Sequence, residues 1–125
     1  MKPKTKTKVK KELDRVFSIY IRQKYADNFG IVKCYTCWKV GEVKELQNGH
    51  FVPRQYLSLR WDERNCRPQC YACNMLYNGQ PSAFAARLEA ETPGIVKELE
   101  EKRKELRQWT ISEIEEKIAY YKKLI

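Results

Sequence analysis

Cys34-Tyr-Thr-Cys37 and Cys70-Tyr-Ala-Cys73 are two Cys-x-x-Cys pairs separated by 32 residues, and the interval contains the only histidine of the chain, His50. Two thiolates one tight turn apart take adjacent corners of a tetrahedron around Zn²⁺, and a second pair brought up by the fold closes it. Four thiolates leave no open coordination position, so a zinc ion held by Cys34, Cys37, Cys70 and Cys73 is structural. Disulfides are the competing use, but cysteines with two residues between them rarely bridge without strain. The fifth cysteine, Cys66, reads as a small buried hydrophobe rather than a ligand or redox group.

Around this framework His50 is followed by Phe51, Val52 and Pro53, Asn65 stands five residues before Cys70, and Asn74 directly follows Cys73. The surroundings are basic. Residues 1–88 carry 17 Lys and Arg against 7 Asp and Glu, whereas residues 89–125 carry 8 against 9. Cation density around a small zinc module suits a phosphate backbone, because release of condensed counterions supplies much of the affinity. The first eleven residues hold six lysines and no acid, and self-repulsion predicts a disordered arm over 1–11. Its Lys4, Lys6, Lys8 and Lys10 either close over DNA or only keep the protein soluble. No signal peptide and no apolar run near the roughly 20 residues of a membrane span is evident, which with five cysteines points to a reducing cytoplasm and no membrane partner.

The elements that must position these residues are mostly helical. Leu13, Val16, Phe17, Tyr20, Ile21 and Tyr25 recur at three- and four-residue steps and predict a helix over about 10–27, closed by Asn28 to Gly30. From Ile31 to Gln69 the pattern breaks into short apolar pieces that suit a knuckle, a hairpin and loops, with Asn48-Gly49 as a tight turn just before His50. A short helix should begin near Cys70 and stop about Asn78-Gly79, and another should start at Pro81 and run through Phe84 and Leu88. Ile95, Val96, Leu99 and Leu106 mark the next. Thr110 with Glu113 reads as a capping box for a last helix with the apolar stripe Ile111, Ile114, Ile118, Tyr121 and Leu124. That stripe packs either on the same chain or on a second copy. The expected class is α+β: a zinc-stabilised centre within 12–90, an N-terminal helix, and a helical extension over 91–125.

The order of His50, Asn65 and Asn74 among zinc knuckles resembles the HNH or ββα-metal nucleases in a His-Asn-Asn variant. Gly49-His50-Phe51-Val52-Pro53 is similar to that group's Asp-His-x-x-Pro strand, and Asn65-Cys-Arg-Pro-Gln-Cys70-Tyr-Ala-Cys73-Asn74 to its Asn-x-x-x-x-Cys-x-x-Cys-His run. Treble-clef phage resolvases of the endonuclease VII type also place Asn after the last zinc cysteine. Over a longer frame, Val16-Phe17-Ser18-x-Tyr20-Ile21-Arg22, Trp61-Asp62-Glu63-x-Asn65 and Gln69-Cys70-x-x-Cys73-Asn74 resemble the NinG (Rap) recombination proteins of lambda-like phages.

The resemblance implies a structure-specific endonuclease for branched DNA such as Holliday junctions and D-loops. His50 would be the general base that deprotonates the attacking water, Asn65 would orient the His50 segment, and Asn74 would offer an oxygen to a catalytic Mg²⁺ or Mn²⁺. Products would end in 5′-phosphate and 3′-hydroxyl. Gly49 departs from the pattern, standing where many members place the acidic metal ligand. Asp62, Glu63 or Asn48 replaces it, or the ion is held largely by phosphate and water. Arg54, Arg60, Arg64 and Arg67 are suited to phosphate contacts, Tyr56, Trp61 and Tyr71 to base stacking or core packing, and Arg87 to a solvated helix face. Resolution needs two cuts, which predicts a homodimer joined through the stripe from Ile111 to Leu124. The other readings are a non-catalytic zinc-containing DNA-binding recombination accessory and an assembly protein using its C-terminal helices.

Overall fold

The computed structural model describes residues 4–125. The chain is α+β, built of four α-helices and two separate antiparallel strand pairs. Helix α1 spans Lys6–Lys24, with Thr5 as N-cap, its hydroxyl accepting from the Lys8 amide at 3.2 Å. The expected disordered arm is therefore corrected: Lys6, Lys8, Lys10 and Lys11 lie on the first turns of α1. The reason is Val9, which extends the apolar face of Leu13, Val16, Phe17 and Ile21 by one turn and is buried, while the lysines at 6, 8 and 11 stay in solvent. Residues 1–3 of that arm lie outside the described residues. The helix also ends three residues sooner than expected, at Lys24.

Strands β1 (Ile31–Lys33) and β2 (Val40–Glu42) form the first hairpin, whose loop carries Cys34 and Cys37. Strands β3 (Gln47–His50) and β4 (Cys66–Gln69) form the second, pairing Gly49 with Arg67 and His50 with Cys66. Asn48-Gly49 is thus strand and not the expected turn. Gly49 is needed there for closeness, since a Cβ at this position would collide with the buried Gln69 side chain. After β4 comes a single π-helical turn over Ala72–Leu76, closed by Tyr77 N–H to the Ala72 carbonyl at 2.9 Å. Asn78, Gly79 and Gln80, all at positive φ, then reverse the chain.

Helices α2 (Pro81–Glu91) and α3 (Ile95–Arg103) pack Phe84, Leu88, Ile95 and Leu99 onto Val52 and Leu59 of the long β3–β4 connection. Leu106, expected on α3, lies beyond its end and is fully exposed. Helix α4 (Ile111–Lys122) begins with the anticipated capping box: Glu113 N–H donates to the Thr110 hydroxyl at 3.1 Å and Thr110 N–H to the Glu113 carboxylate at 2.9 Å. Its stripe folds back on α1. Ile114, Ile118 and Tyr121 are buried with Leu13, Val16, Phe17, Trp61 and Cys66, and Phe17 meets Tyr121 edge-on at 5.0 Å. Ile111 and Leu124, at the two ends of the stripe, stay exposed. Among the described residues no helix is long and apolar enough to cross a membrane.

Candidate functional site

The four cysteines come together as the spacing predicts. Each Sγ lies within 4.8 Å of the others, with Cys37 and Cys70 3.7 Å apart. A tetrahedral ion with Zn–S bonds of about 2.3 Å needs sulfurs about 3.8 Å apart, so the group could hold Zn²⁺. Burial pushes the Cys34 thiol up, but amides of Cys70, Thr36 and Cys37 and the Thr36 hydroxyl outweigh it and hold the group at about 6. Cys37 is instead pushed up to about 12 by burial and by the sulfurs crowding it. One thiolate forms readily while ionisation of Cys37 is opposed, which is the electrostatic situation a dication resolves. Cys66 is elsewhere, fully buried in the α1–α4 core with its thiol pushed up by burial, in keeping with a small apolar role.

His50 ends β3 and lines an open cleft of about 530 Å³ with Asp14, Asn48, Arg54 and Asn74. Its Nε2 lies 2.9 Å from the Arg60 carbonyl. A carbonyl only accepts, so Nε2 carries the proton and in the neutral ring Nδ1 keeps the lone pair. Burial lowers the imidazole below its ordinary 6.5, opposed by the Arg60 carbonyl and the Asp14 charge and assisted by Arg54 and Arg60. The ring is therefore neutral at pH 7.

The loop after His50 is held by Asn65. Asn65 is buried, accepts Val52 N–H at 2.8 Å, and donates to the carbonyls of Val52 at 2.9 Å and Leu59 at 3.2 Å. Its own carbonyl accepts Phe51 N–H at 2.9 Å. Position 65 thus staples both ends of the connection that carries Arg60. Asn74, on the π-helical turn, donates to Gln47 Oε1 at 2.7 Å, which fixes the amide and leaves Oδ1 as the atom not spent on that bond.

Asp14, unnoticed in the sequence, is the one carboxylate among the described residues lining this cleft. It grips Arg60 with both oxygens, the Nε contact being 3.0 Å, and accepts the Trp61 indole N–H at 2.9 Å. Helix α1 thereby fixes the residue whose carbonyl fixes His50. Nothing in sequence separation could reveal it, because Asp14 sits 46 residues from Arg60, within the charged run Glu12-Leu13-Asp14-Arg15 of α1.

Several expected contacts are corrected. Arg60 is spent on Asp14 with its side chain only 14% exposed. Arg67 is buried and donates to the carbonyls of Glu63, Arg64 and Cys66. Arg64 bridges Asp62 and Glu98. Only Arg54 of the four reaches the cleft with its side chain largely exposed. Asp62 caps the turn at Glu63–Asn65, is paired with Arg64 and Lys102, and lines a different hollow from His50; Glu63 is taken by Tyr20, Lys24 and Tyr121. Neither acid lines the His50 cleft. Trp61 is core, packed edge-on against Trp109 at 5.6 Å, and Tyr56 bonds Arg103, while Tyr71 is exposed. Arg87 is not a solvated charge: it donates to the Tyr35 carbonyl at 2.6 Å and lies on the Trp38 ring.

A family model described as Bacteriophage Lambda NinG protein matches residues 1–125, the whole chain. Neither the curated proteins nor the solved structures give a match.

Proposed function

Since this chain belongs to the bacteriophage Lambda NinG protein family, we propose that it is a metal-dependent DNA endonuclease that cuts branched recombination intermediates such as Holliday junctions and D-loops. The observation that carries the reading is His50 itself. It stands in an open cleft, neutral, with Nε2 tied to a backbone carbonyl and Nδ1 free to take the proton of an attacking water. A hairpin followed at once by the helical turn that brings Asn74 into the same cleft supports an HNH-type, ββα-metal reading of the centre.

In this reading Arg54 meets the scissile-strand phosphate, Asn65 and Asp14 hold His50 in place, and Asn74 Oδ1 is the side-chain oxygen offered to Mg²⁺ or Mn²⁺. Such an ion, when bound, stabilises charge on the phosphoryl oxygens. The fit is partial. Mg²⁺ ordinarily takes one or two carboxylates with substrate phosphate, and Asp14 is already clamped to Arg60. The ion is then held mainly by phosphate and water. The lysines of the first α1 turns, with Lys4, extend the phosphate track, and paired cuts bring two copies to one junction, with Ile111 and Leu124 of the α4 stripe still exposed for the contact.

The same shortage of free carboxylate favours a second reading, a non-catalytic zinc-containing DNA-binding recombination accessory. A labelled four-way junction separates the two. Cleavage that requires Mg²⁺ or Mn²⁺ and yields 5′-phosphate and 3′-hydroxyl ends supports the nuclease; tight binding without cleavage under any divalent ion supports the accessory. Asn74→Ala should raise the Mg²⁺ concentration needed, and an unchanged metal titration would remove Asn74 from the site.

A further inference from the structure

Beside the knuckle, and separate from the His50 cleft, lies a hollow of about 540 Å³ lined by Tyr25, Lys33, Tyr35, Trp38 and Arg87. Trp38 directly follows a zinc-ligand candidate, Cys37, and its backbone has φ of 69°. That left-handed conformation suits glycine and is strained for a bulky side chain. The strain is not offset by burial, for Trp38 is 58% exposed. The loop imposes it: Trp38 N–H donates to the Cys34 carbonyl at 2.9 Å and Cys34 N–H to the Lys39 carbonyl at 2.8 Å.

One face of the indole is already taken. The Arg87 guanidinium lies 3.3 Å from the ring centroid and 5.2 Å from that of Tyr35, while Lys33 stands 6.0 Å from the indole. An exposed indole flanked by two cations suits a stacked π system beside a phosphate. The two carboxylates of the hollow are engaged: Asp27 accepts Phe29 and Ile31 amides, and Glu91 accepts the Tyr35 hydroxyl at 2.8 Å. Tyr35 N–H also donates to the Pro68 carbonyl on β4 at 2.8 Å. The hollow is thus fastened to the strand pair that carries His50.

We infer that this hollow seats an unpaired nucleobase of single-stranded DNA, stacked on the exposed indole of Trp38, with Lys33 and Arg87 beside its phosphates. The inference rests on DNA being the ligand, as proposed above, and not on cleavage. A flap or branch point would be recognised here by its unpaired base, at a site other than the one that cuts.

The test uses the full-length zinc-loaded protein without divalent cation, so that binding is read whether or not the chain cleaves. Oligo(dT) of about twelve nucleotides is compared with an abasic oligodeoxynucleotide of equal length. Oligo(dT) should quench the emission that Trp38→Phe removes, and the abasic strand should not. Trp38→Ala should weaken oligo(dT) binding about 5- to 100-fold, leave abasic binding unchanged, and be largely rescued in Trp38→Phe. Equal oligo(dT) affinity in Trp38→Ala and wild type, equal losses for both strands, or equal quenching by both would overturn the inference. Should Trp38→Ala lose zinc, the wild-type quenching comparison decides alone.

Discussion

Between α1 and α4 the chain encloses Leu13, Val16, Phe17, Ile114, Ile118 and Tyr121, a wide interdigitated face. Around the knuckle it buries Val32 and Leu46 beside Cys34, Cys70 and Cys73, with Ala26, Val43 and Ala72 half-buried against them. The first region is held by apolar area and dispersion. The second has too little apolar surface to order its loop, so its shape should depend on the ion its thiols could bind. His50 stands where the two meet: β3 pairs with β4, which leads into the second cysteine pair, while Asp14 on α1 grips the residue whose carbonyl holds the imidazole.

The largest difference should appear on metal removal, because structural zinc contributes about 10–16 kcal/mol in small modules. Chelation is expected to abolish hydrogen-exchange protection over 31–42 and 66–79 while the amides of α1 and α4 remain protected. Loss in both regions together, or in neither, breaks the comparison. In the helical region the response should be that of a packed core. Ile114→Ala should destabilise by about 2–5 kcal/mol in denaturant unfolding, with zinc content unchanged. Leu106→Ala, on a fully exposed side chain, should stay within about 0.5 kcal/mol.

The seam between the regions yields a smaller effect. Asn65→Ala leaves the Val52 N–H and the Val52 carbonyl without their partner, while the Leu59 carbonyl keeps the Asp62 N–H, and each unmet buried group costs about 1–3 kcal/mol. The variant should unfold at lower denaturant and show faster exchange over 51–60. Undisturbed exchange there would mean that Asn65 does not order the His50 loop.

The smallest effect is protonic. Burial depresses His50 in the folded chain, so between that lowered value and 6.5 the unfolded chain binds the proton more readily. Stability from this group is complete above about pH 6.5 and falls on acidification, by at most about 1.4 kcal/mol per pH unit. His50→Gln should remove that part of the slope; a wild-type slope in the variant would show that His50 is not buried neutral.

Legibility in the sequence follows the same division. The cysteine quartet, the capping box at Thr110 and the stops at Asn78-Gly79 are readable because each depends on a few residues at fixed local spacing. The start of α1 is not, since the charge repulsion legible at Lys6, Lys8, Lys10 and Lys11 is outweighed by the burial of Val9, which depends on the fold. The arginines misled for a related reason. Arg60 and Arg67 are basic residues near the site by sequence, but whether a guanidinium faces DNA or a carboxylate and carbonyls within the chain depends on contacts such as Asp14 that no spacing encodes. Arg87 is a further case, its partners Tyr35 and Trp38 lying about fifty residues away.

We propose that these two supports hold His50 as a neutral base in a DNA-cutting cleft, and single-turnover cleavage of a labelled four-way junction with Mg²⁺ decides it. His50→Ala should cut at least about 100-fold more slowly than wild type, with junction affinity and zinc content unchanged, because a base acts in the transition state and adds little to ground-state binding. Wild-type cleavage by His50→Ala would contradict the account.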